Sequence, residues 1–248
     1  MRSALSTRFY RSFTHHNFRR IEECRTLIQW LDPKPGERVL DVGCGDGFYD
    51  HAIARSGAQV VGIDINERRL AAARKRNAME RTEFRFMDAE AMDLPDQSFD
   101  KVVSFCVIEH FRREQRVLEH IQRVLKPGGM LFISADSLSN PEIAEAERAA
   151  HRHRYAVNTF YTVDVLLQKL EAAGLELEET KYILTTPLTL ALARLSWRLD
   201  DLPQALLPLK GLGYLTLLTV GRAGSILSER LAGRTDTGLT LLARARKR

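Results

Sequence analysis

Short apolar runs alternate with longer amphipathic stretches through the middle of this chain. The runs lie at residues 38–42, 59–63, 83–87, 101–105 and 130–134, and the stretches between them carry apolar residues at helical spacing. Strands that alternate with helices predict a mostly parallel sheet covered by helices on both faces, which is the α/β class.

The amino-terminal flank has an amphipathic pattern of its own. Aromatic and apolar positions at helical spacing, set among basic residues, predict a helix over residues 3–31. The Pro-Lys-Pro-Gly run at 33–36 ends that helix, because proline cannot donate the backbone hydrogen bond that a helix needs. The first core strand follows at once, so we expect this helix to cap the sheet.

The carboxyl-terminal half continues the α/β pattern. The Asn-Pro pair at 140–141 favours a helix over 142–154, and a second helix over 163–173 is expected to stop at Gly174 in a left-handed conformation. The last two strands are predicted at residues 175–184 and 239–243.

The most informative stretch is Val-Leu-Asp-Val-Gly-Cys-Gly-Asp-Gly at 39–47, where a strand leads into alternating glycines. Gly43, Gly45 and Gly47 permit positive φ and let backbone amides approach a ligand. A dinucleotide-binding turn needs G-x-G-x-x-G, whose third glycine would fall at Phe48. The spacing therefore disfavours a pyrophosphate site, and a glycine turn of some other α/β protein is the alternative.

Two further strands also end in acids. Asp64 follows the second strand, where a carboxylate can accept hydrogen bonds from both ribose hydroxyls, and Ile65 could pack against an adenine face. Asp88 and Ala89 follow the third strand, where the Asp88 carboxylate could bind the adenine amino group and the Ala89 backbone a ring nitrogen. These residues predict an adenosine site, although Asp64 would suit NAD equally and Asp88 could simply begin a turn.

The order and spacing of further motifs resemble the class I methyltransferases that use S-adenosylmethionine (SAM). The motifs are Asp-x-Gly-x-Gly-x-Gly from Asp41, Leu-Pro-Asp-Gln-Ser-Phe-Asp at 94–100, Glu-His at 109–110 and Leu-Lys-Pro-Gly-Gly at 125–129. The resemblance covers residues 36–180. It implies a Rossmann-like fold with a seven-stranded, mostly parallel sheet, a reversed last strand, helices on both faces, and SAM at the carboxyl ends of the first strands.

The resemblance also implies roles for single residues. It places Asp41, Gly43, Gly45 and the backbone of Cys44 around the methionine moiety of SAM, with the main chain at Phe105 or Cys106 near the methionine amino group. The alternative for Asp41 is that its carboxylate only accepts hydrogen bonds from amides of the turn.

A shorter stretch, Asn-Phe-Arg-Arg-Ile at 17–21, is similar to a segment of quinone-pathway O-methyltransferases in which an arginine meets the methionine carboxylate. Arg20 would be that arginine, or else a solvated helix arginine. Those enzymes often carry Glu-x-x-Glu-His after the fourth strand and can use a divalent ion. Here Cys106 replaces the first acid, so we predict no metal.

Three histidines are candidate general bases, because imidazole titrates near neutral pH and can deprotonate a phenol or enol. His110 follows the fourth strand, and His151 and His153 lie on the helix expected to line the acceptor pocket. The alternatives are a structural role for His110 and an exposed basic helix surface for the other two.

Formal charge is distributed unevenly. The net charge of +5 is the sum of +4 over residues 1–38, −6 over 39–180 and +7 over 181–248. Basic flanks suit nucleic acid, an anionic membrane or an acidic substrate, and charge alone does not choose among them. The chain lacks the Asn-Pro-Pro-Tyr motif of the family's adenine and glutamine N-methyltransferases, which disfavours methylation of bases and protein amides.

Cysteine usage and hydropathy bear on the compartment. The three cysteines are scattered and no secretory signal precedes them, so we expect no disulfide framework and a cytoplasmic location. The longest uncharged apolar stretches, at 182–193 and 211–221, are shorter than the roughly 20 residues that span a bilayer.

Four segments follow from these patterns: a helical cap at 1–35, a SAM-binding core at 36–182, an apolar and basic helical insertion at 183–234, and a last strand with a basic tail at 235–248. The insertion is a candidate lid, homodimer contact or anionic membrane contact. The predicted function is SAM-dependent methylation of a small or lipid-like acceptor, most plausibly at oxygen. An RNA or protein methyltransferase and a non-catalytic SAM-binding regulatory subunit are the alternatives, and nucleic acid is the less favoured partner.

Overall fold

A single sheet of seven strands organises the molecule, whose structure is a computed structural model that describes residues 18–77, 81–203 and 206–248. The strands are β1 (Arg38–Val42), β2 (Gln59–Asp64), β3 (Thr82–Phe86), β4 (Phe99–Phe105), β5 (Leu125–Asp136), β6 (Leu175–Ile183) and β7 (Thr240–Lys247). Their spatial order is β3-β2-β1-β4-β5-β7-β6. β7 runs antiparallel to both of its neighbours, and the other pairings are parallel. The predicted sheet with one reversed, final strand is confirmed.

Helices cover both faces of this sheet. They are α1 (Phe18–Leu31), α2 (Asp50–Arg55), α3 (Glu67–Arg76), α4 (Glu114–Val124), α5 (Glu145–Tyr155), α6 (Val163–Ala172), α7 (Pro187–Asp201), α8 (Leu207–Thr216) and α9 (Arg222–Ala232). A π-helical turn, Leu217–Gly221, joins α8 to α9, and short 3₁₀ turns lie at Ala89–Ala91 and Ile108–His110.

Side chains alternate between the two faces of the sheet along each strand, and each face has its own hydrophobic core. In β1, Leu40 and Val42 face the core that α4 and α6 cover, whereas Val39 faces the core that α1, α2 and α7 cover. All three side chains are fully buried. Because side chains alternate with a period of two, Asp41 lies on the same face as Val39, beneath α1 and α2. This placement brings a carboxyl group beneath the helices at the start of the chain.

The helical insertion joins β6 to β7 and packs on the sheet through α7. Leu190 and Ala193 of α7 are buried in the core beneath α1 and α2. Glu229 of α9 reaches back to the start of α7, where it accepts hydrogen bonds from the amides of Thr185 at 2.6 Å and Thr186 at 3.2 Å. No helix in the described parts of the chain combines the length and hydrophobicity needed to cross a bilayer.

Element boundaries differ from the predicted ones where local hydrogen bonds decide them. The helix expected from residue 142 begins at Glu145, because the Glu147 carboxylate accepts a hydrogen bond from the Ala144 amide at 3.1 Å. Gly174 has φ +75° after α6, as predicted. The last strand runs to Lys247, well beyond its predicted end. The helix predicted over 3–31 is observed from Phe18, and its first part lies outside the described residues.

Candidate functional site

The glycine turn after β1 brings backbone amides to the carboxyl edge of the sheet. Gly43, Gly45 and Gly47 have φ values of +78°, +58° and +69°. The amides of Gly43 and Cys44 donate to the Ile63 carbonyl oxygen at 2.8 and 3.0 Å, which ties the turn to β2. A Cβ at position 43 would lie 2.5 Å from a Val107 methyl carbon, so only glycine fits this approach.

This turn forms one wall of a cleft of about 160 Å³ at the carboxyl ends of β1, β2 and β4. The cleft brings together eight of the predicted site residues, which are Arg20, Asp41, Gly43, Cys44, Gly45, Asp64, Phe105 and His110. They come from α1, three strand ends and a 3₁₀ turn, as expected for a ligand site at the carboxyl edge of a parallel sheet.

Asp64 is held in place by backbone donors. Its carboxylate accepts hydrogen bonds from the Gly45 amide at 2.9 Å and the Asn66 amide at 2.7 Å. Each carboxylate oxygen has a second lone pair, so the group can still accept the two hydroxyls of a ribose. The side chain is half-buried and reaches the cleft.

Asp41 has the opposite environment. Its side chain is 1% exposed, and no other described residue donates a hydrogen bond to either carboxyl oxygen. The alternative in which Asp41 only binds turn amides is therefore not what the structure shows. A buried acid without a donor at the wall of a cleft suits the ammonium group of an amino acid, so these residues fit the methionine moiety of SAM.

The residues predicted around adenine lie outside the lining of this cleft. Ile65 is 66% exposed after β2, and Asp88 is exposed after β3, while Ala89 is buried. The Asp88 carboxylate accepts a hydrogen bond from the Glu90 amide at 2.8 Å, so it does begin a turn. Its second oxygen is not used in that bond. The adenine roles of these residues stay predictions.

A second cavity, of about 530 Å³, adjoins the first. Arg20, Arg69, Cys106 and His110 line both. Its other walls come from α1, the 3₁₀ turn at Ile108–His110, the end of β5, α5 and the last residues of α7. The residues are Arg19, Glu23, Glu109, Asp136, His151, Arg154, Tyr155, Asp200 and Asp201. Arg154 binds both Asp201 carboxylate oxygens, at 2.7 and 2.6 Å, which joins α5 to the helical insertion.

His110 stands where the two cavities meet. Its Nδ1 lies 3.2 Å from the Ala156 carbonyl oxygen, an atom that can only accept a hydrogen bond. That contact favours the tautomer with the proton on Nδ1, which leaves the Nε2 lone pair free to take a proton. The side chain is exposed to solvent, so it can reach a bound molecule.

The other two histidines are in different environments. His151 is 5% exposed, and its Nε2 lies 2.6 Å from Asp136. Arg19 binds the other Asp136 oxygen at 2.9 Å. Burial opposes ionisation of Asp136, yet the hydrogen bond from His151 and the charge of Arg19 hold its pKa below the ordinary value. His153 lies on the exposed side of α5 and lines neither cavity. The alternative that both histidines lie on an exposed helix surface is therefore correct for His153 and wrong for His151.

The described residues include one group that could ligate a metal. Ligand atoms of Cys106, Glu109 and Asp136 lie within 4.8 Å of one another. Arg19 and His151 already occupy both Asp136 oxygens, and burial raises the pKa of the Cys106 thiol and of the Glu109 carboxyl group. Because metal ligands must be deprotonated and free, this group as built does not fit a divalent ion.

Three residues at or beside these cavities were not predicted from the sequence, namely Arg19, Asp50 and Asp136. Asp136 ends β5 after an apolar run, which is the same signal that identified the acids after β1 and β2. Asp50 has no such signal, because it begins the short helix α2 and becomes a neighbour of Asp41 only through the fold.

Comparison with known proteins places these features in a family. Residues 33–185 match the model of a methyltransferase domain family. The ubiquinone biosynthesis O-methyltransferase of Leptothrix cholodnii is 33% identical over 192 residues, covering 69% of this chain and 80% of that protein. The enzyme of the same name from Dinoroseobacter shibae is 32% identical over 180 residues, covering 68% of this chain and 70% of that protein.

Among solved structures, the fold is similar to that of phosphoethanolamine N-methyltransferase 2 from Haemonchus contortus in complex with SAM. The TM-score is 0.67 at 21% identity, and the match covers 91% of this chain and 52% of that one. Because the two sequences are only 21% identical, this similarity is evidence for a shared fold alone.

Proposed function

Because the chain belongs to the class I SAM-dependent methyltransferases, we propose that it transfers the methyl group of SAM to an oxygen atom of a small or lipid-like acceptor. The observation that carries this proposal is the position of His110 between the cofactor cleft and the second cavity. The names of the two relatives also favour oxygen as the atom methylated.

SAM supplies an electrophilic methyl group on a sulfonium centre, and the reaction is an in-line displacement. The protein must hold the acceptor oxygen in line with that methyl group and remove its proton. The two cavities meet at His110 and Cys106, so an acceptor in the second cavity can direct its oxygen toward the first. Arg20 lines both cavities, where its guanidinium can bind the methionine carboxylate.

His110 is the proposed general base. With its proton on Nδ1, held toward the Ala156 carbonyl oxygen, its Nε2 takes the proton of the acceptor hydroxyl. His151 is bound to Asp136 and packs its ring 5.4 Å from the Trp197 ring, so we assign it to shaping the cavity wall and holding α5 against α7. His153 lies too far out on α5 to take part.

The test is methyl transfer to a panel of a catechol, a monophenol and a hydroquinone with an isoprenoid tail, with the methylated atom identified by NMR. His110→Gln should lower kcat by roughly 10²–10⁴-fold while changing SAH (S-adenosylhomocysteine) affinity little. The loss should shrink for a nitrophenol acceptor that is already ionised, because it needs no base. His120→Gln on α4, which lines neither cavity, is the control and should behave like the parent.

Product methylated at a ring carbon would contradict the assignment to oxygen. Equal losses for the ionised and un-ionised phenols would contradict the role of His110. Tight SAH binding without turnover on any acceptor would favour the alternative of a regulatory SAM-binding subunit. The assay contains a chelator, because we predict no metal requirement; restoration of activity by Mg²⁺ would contradict that prediction.

We further propose that the helical insertion binds an anionic membrane surface and so brings lipid-like acceptors to the second cavity. Nine large apolar side chains of the insertion are 43–80% exposed; they are Leu188, Leu195, Leu206, Leu209, Leu212, Leu215, Val220, Leu227 and Leu231, here called the leucine face. Arg198, Arg230 and Arg234 are exposed on the same segment. Apolar side chains with basic neighbours are the chemistry of an interfacial helix on anionic lipid.

The insertion is also continuous with the acceptor cavity, because Asp200 and Asp201 end α7 at its wall. Cosedimentation with phosphatidylglycerol vesicles should therefore exceed that with phosphatidylcholine vesicles, and should fall for the triple variant Leu209→Asn, Leu212→Asn and Val220→Asn. SAH affinity of the variant must match the parent, which shows that the core is intact. Failure of the parent to bind, together with sedimentation as a dimer, would make the leucine face a contact between copies.

A further inference from the structure

Two buried carboxyl groups lie at the inner wall of the cofactor cleft, and only one of them lines it. Asp41 lines the cleft at the end of β1, and Asp50 lies deeper, as the first residue of α2. Their side chains face one another within hydrogen-bonding reach. Asp41 is 1% exposed and Asp50 is fully buried. The reaction described above gives Asp50 no role.

No other described residue donates a hydrogen bond to any of the four carboxyl oxygens of this pair. The groups that face it do not supply a positive charge in contact either. Asp64 and the Cys44 thiol lie on the side of β2 and the turn, and the Cys24 thiol lies on the side of α1. Asp46 faces Asp50 and is itself paired with Arg76 at 3.1 Å.

Two buried carboxylates at this separation cannot both be ionised at neutral pH, because each would be an uncompensated charge beside a like charge. One proton shared between them removes a charge and makes a hydrogen bond. In agreement, burial and the mutual repulsion of the two acids raise the pKa of Asp41 well above its usual range, and burial raises the pKa of Asp50 to about 7.

A bound amino-acid cofactor changes this balance. Its ammonium group is the cation that the cleft wall at Asp41 is missing, and it can neutralise one carboxylate directly. We propose that the cofactor's ammonium group replaces the proton shared by Asp41 and Asp50, so that Asp50 acts through Asp41 as a positioning residue and cofactor binding releases a proton to solvent. The inference rests on the SAM cofactor and not on the proposed acceptor chemistry.

The direction of the pH dependence follows from this exchange. Below neutral pH the free protein holds the shared proton, and binding must expel it, so affinity is lower there. Affinity for SAH should rise with pH by up to about tenfold per unit and level off above about pH 7, where the free pair has lost its proton. SAH is the probe because it carries the same ammonium group and no reactive methyl.

Isothermal calorimetry of SAH binding tests this directly. A proton released on binding is taken up by the buffer, so the observed enthalpy includes the heat of protonating the buffer. At about pH 6 the enthalpies measured in phosphate and in imidazole should therefore differ by the amount expected for release of close to one proton. In Asp50→Asn the amide can donate to Asp41, which then stays ionised. That variant should release no proton and should bind SAH with an affinity that no longer varies between about pH 5 and 7.

Asp93→Asn is the matched control, because it makes the same change from acid to amide at an exposed residue that lines neither cavity. Asp93→Asn should keep both the proton release and the pH dependence. Infrared difference spectra of the parent protein give a measurement that needs no variant: the carbonyl band of a protonated carboxyl group should disappear when SAH binds. Buffer-independent enthalpies, an unchanged carbonyl band, or proton release that persists in Asp50→Asn would overturn the proposal.

Discussion

At the scale of single residues, Asp64 carries the clearest prediction for the cofactor. Its two oxygens already accept the Gly45 and Asn66 amides, and their remaining lone pairs are the acceptors for ribose. Asp64→Ala should weaken SAH binding at least tenfold, about 1.4 kcal/mol, in a calorimetric titration. Asp64→Asn keeps one acceptor oxygen and should lose less SAH affinity than the alanine variant. An unchanged binding curve for the alanine variant would refute the ribose assignment.

Asp50 makes a separate prediction about stability without cofactor. An acid whose pKa is raised in the folded state contributes stability that is full at low pH and is lost as pH rises, here between about pH 4 and about pH 7. Asp50→Asn never ionises. Without SAH it should therefore be more stable than the parent at about pH 8, by on the order of a few kcal/mol, and this gain should vanish near pH 4.

Urea unfolding at the two pH values measures this difference. Asp93→Asn, an exposed acid outside both cavities, is the control and should show no comparable pH-dependent gain. If Asp50→Asn raised the free energy of unfolding equally at both pH values, the gain would come from better packing of the amide and not from the shared proton.

At the scale of elements, the start of α7 depends on a side chain from a distant helix. Glu229 of α9 accepts hydrogen bonds from the Thr185 and Thr186 amides and from the Thr185 and Thr189 hydroxyls. Hydrogen bonds to a charged acceptor contribute about 1.5–3 kcal/mol, and the amides at a helix start have no other backbone partner. Glu229→Ala should therefore lower the free energy of unfolding by about 2 kcal/mol in urea titrations.

Glu119→Ala, on the exposed side of α4, is the matched control and should change stability little. The Glu229 variant should also reduce vesicle binding if the insertion acts as one unit. Full stability of Glu229→Ala would show that the insertion is held on the sheet by α7 packing alone.

Helices and strands were predictable where the spacing of apolar residues and a glycine or proline at the end of the segment indicated the same boundary. The strand at 38–42 and the glycine turn after it are observed as predicted, because the alternation and the glycine φ requirement are local. Two groups of side chains were not predictable, because they come together only in the tertiary fold. β1 and α2 bring Asp41 to Asp50. α1, β5 and α5 bring together Arg19, Asp136 and His151. His151 looked like a residue of a basic helix surface because its neighbours in sequence are basic.

At the scale of the whole molecule, the fold reduces the charge asymmetry that the sequence suggests. The basic carboxyl-terminal strand β7 pairs with β6, whose acids lie in the otherwise acidic middle of the chain. Arg244, Arg246 and Arg248 each form ion pairs with glutamates of β6. Exposed pairs of this kind add little stability, but they cancel much of the field that would attract a polyanion.

This cancellation gives a prediction for the RNA alternative. Labelled single-stranded and hairpin RNA should bind no tighter than about 10⁻⁶ M at physiological salt, which is the range of non-specific contacts. Fluorescence anisotropy measures this, and reversing the β6 acids, Glu176→Lys with Glu178→Lys, is the positive control that should strengthen RNA binding by removing the partners of β7. Much tighter binding of RNA by the parent protein, with a steep salt dependence, would contradict this prediction and would make RNA the first candidate acceptor.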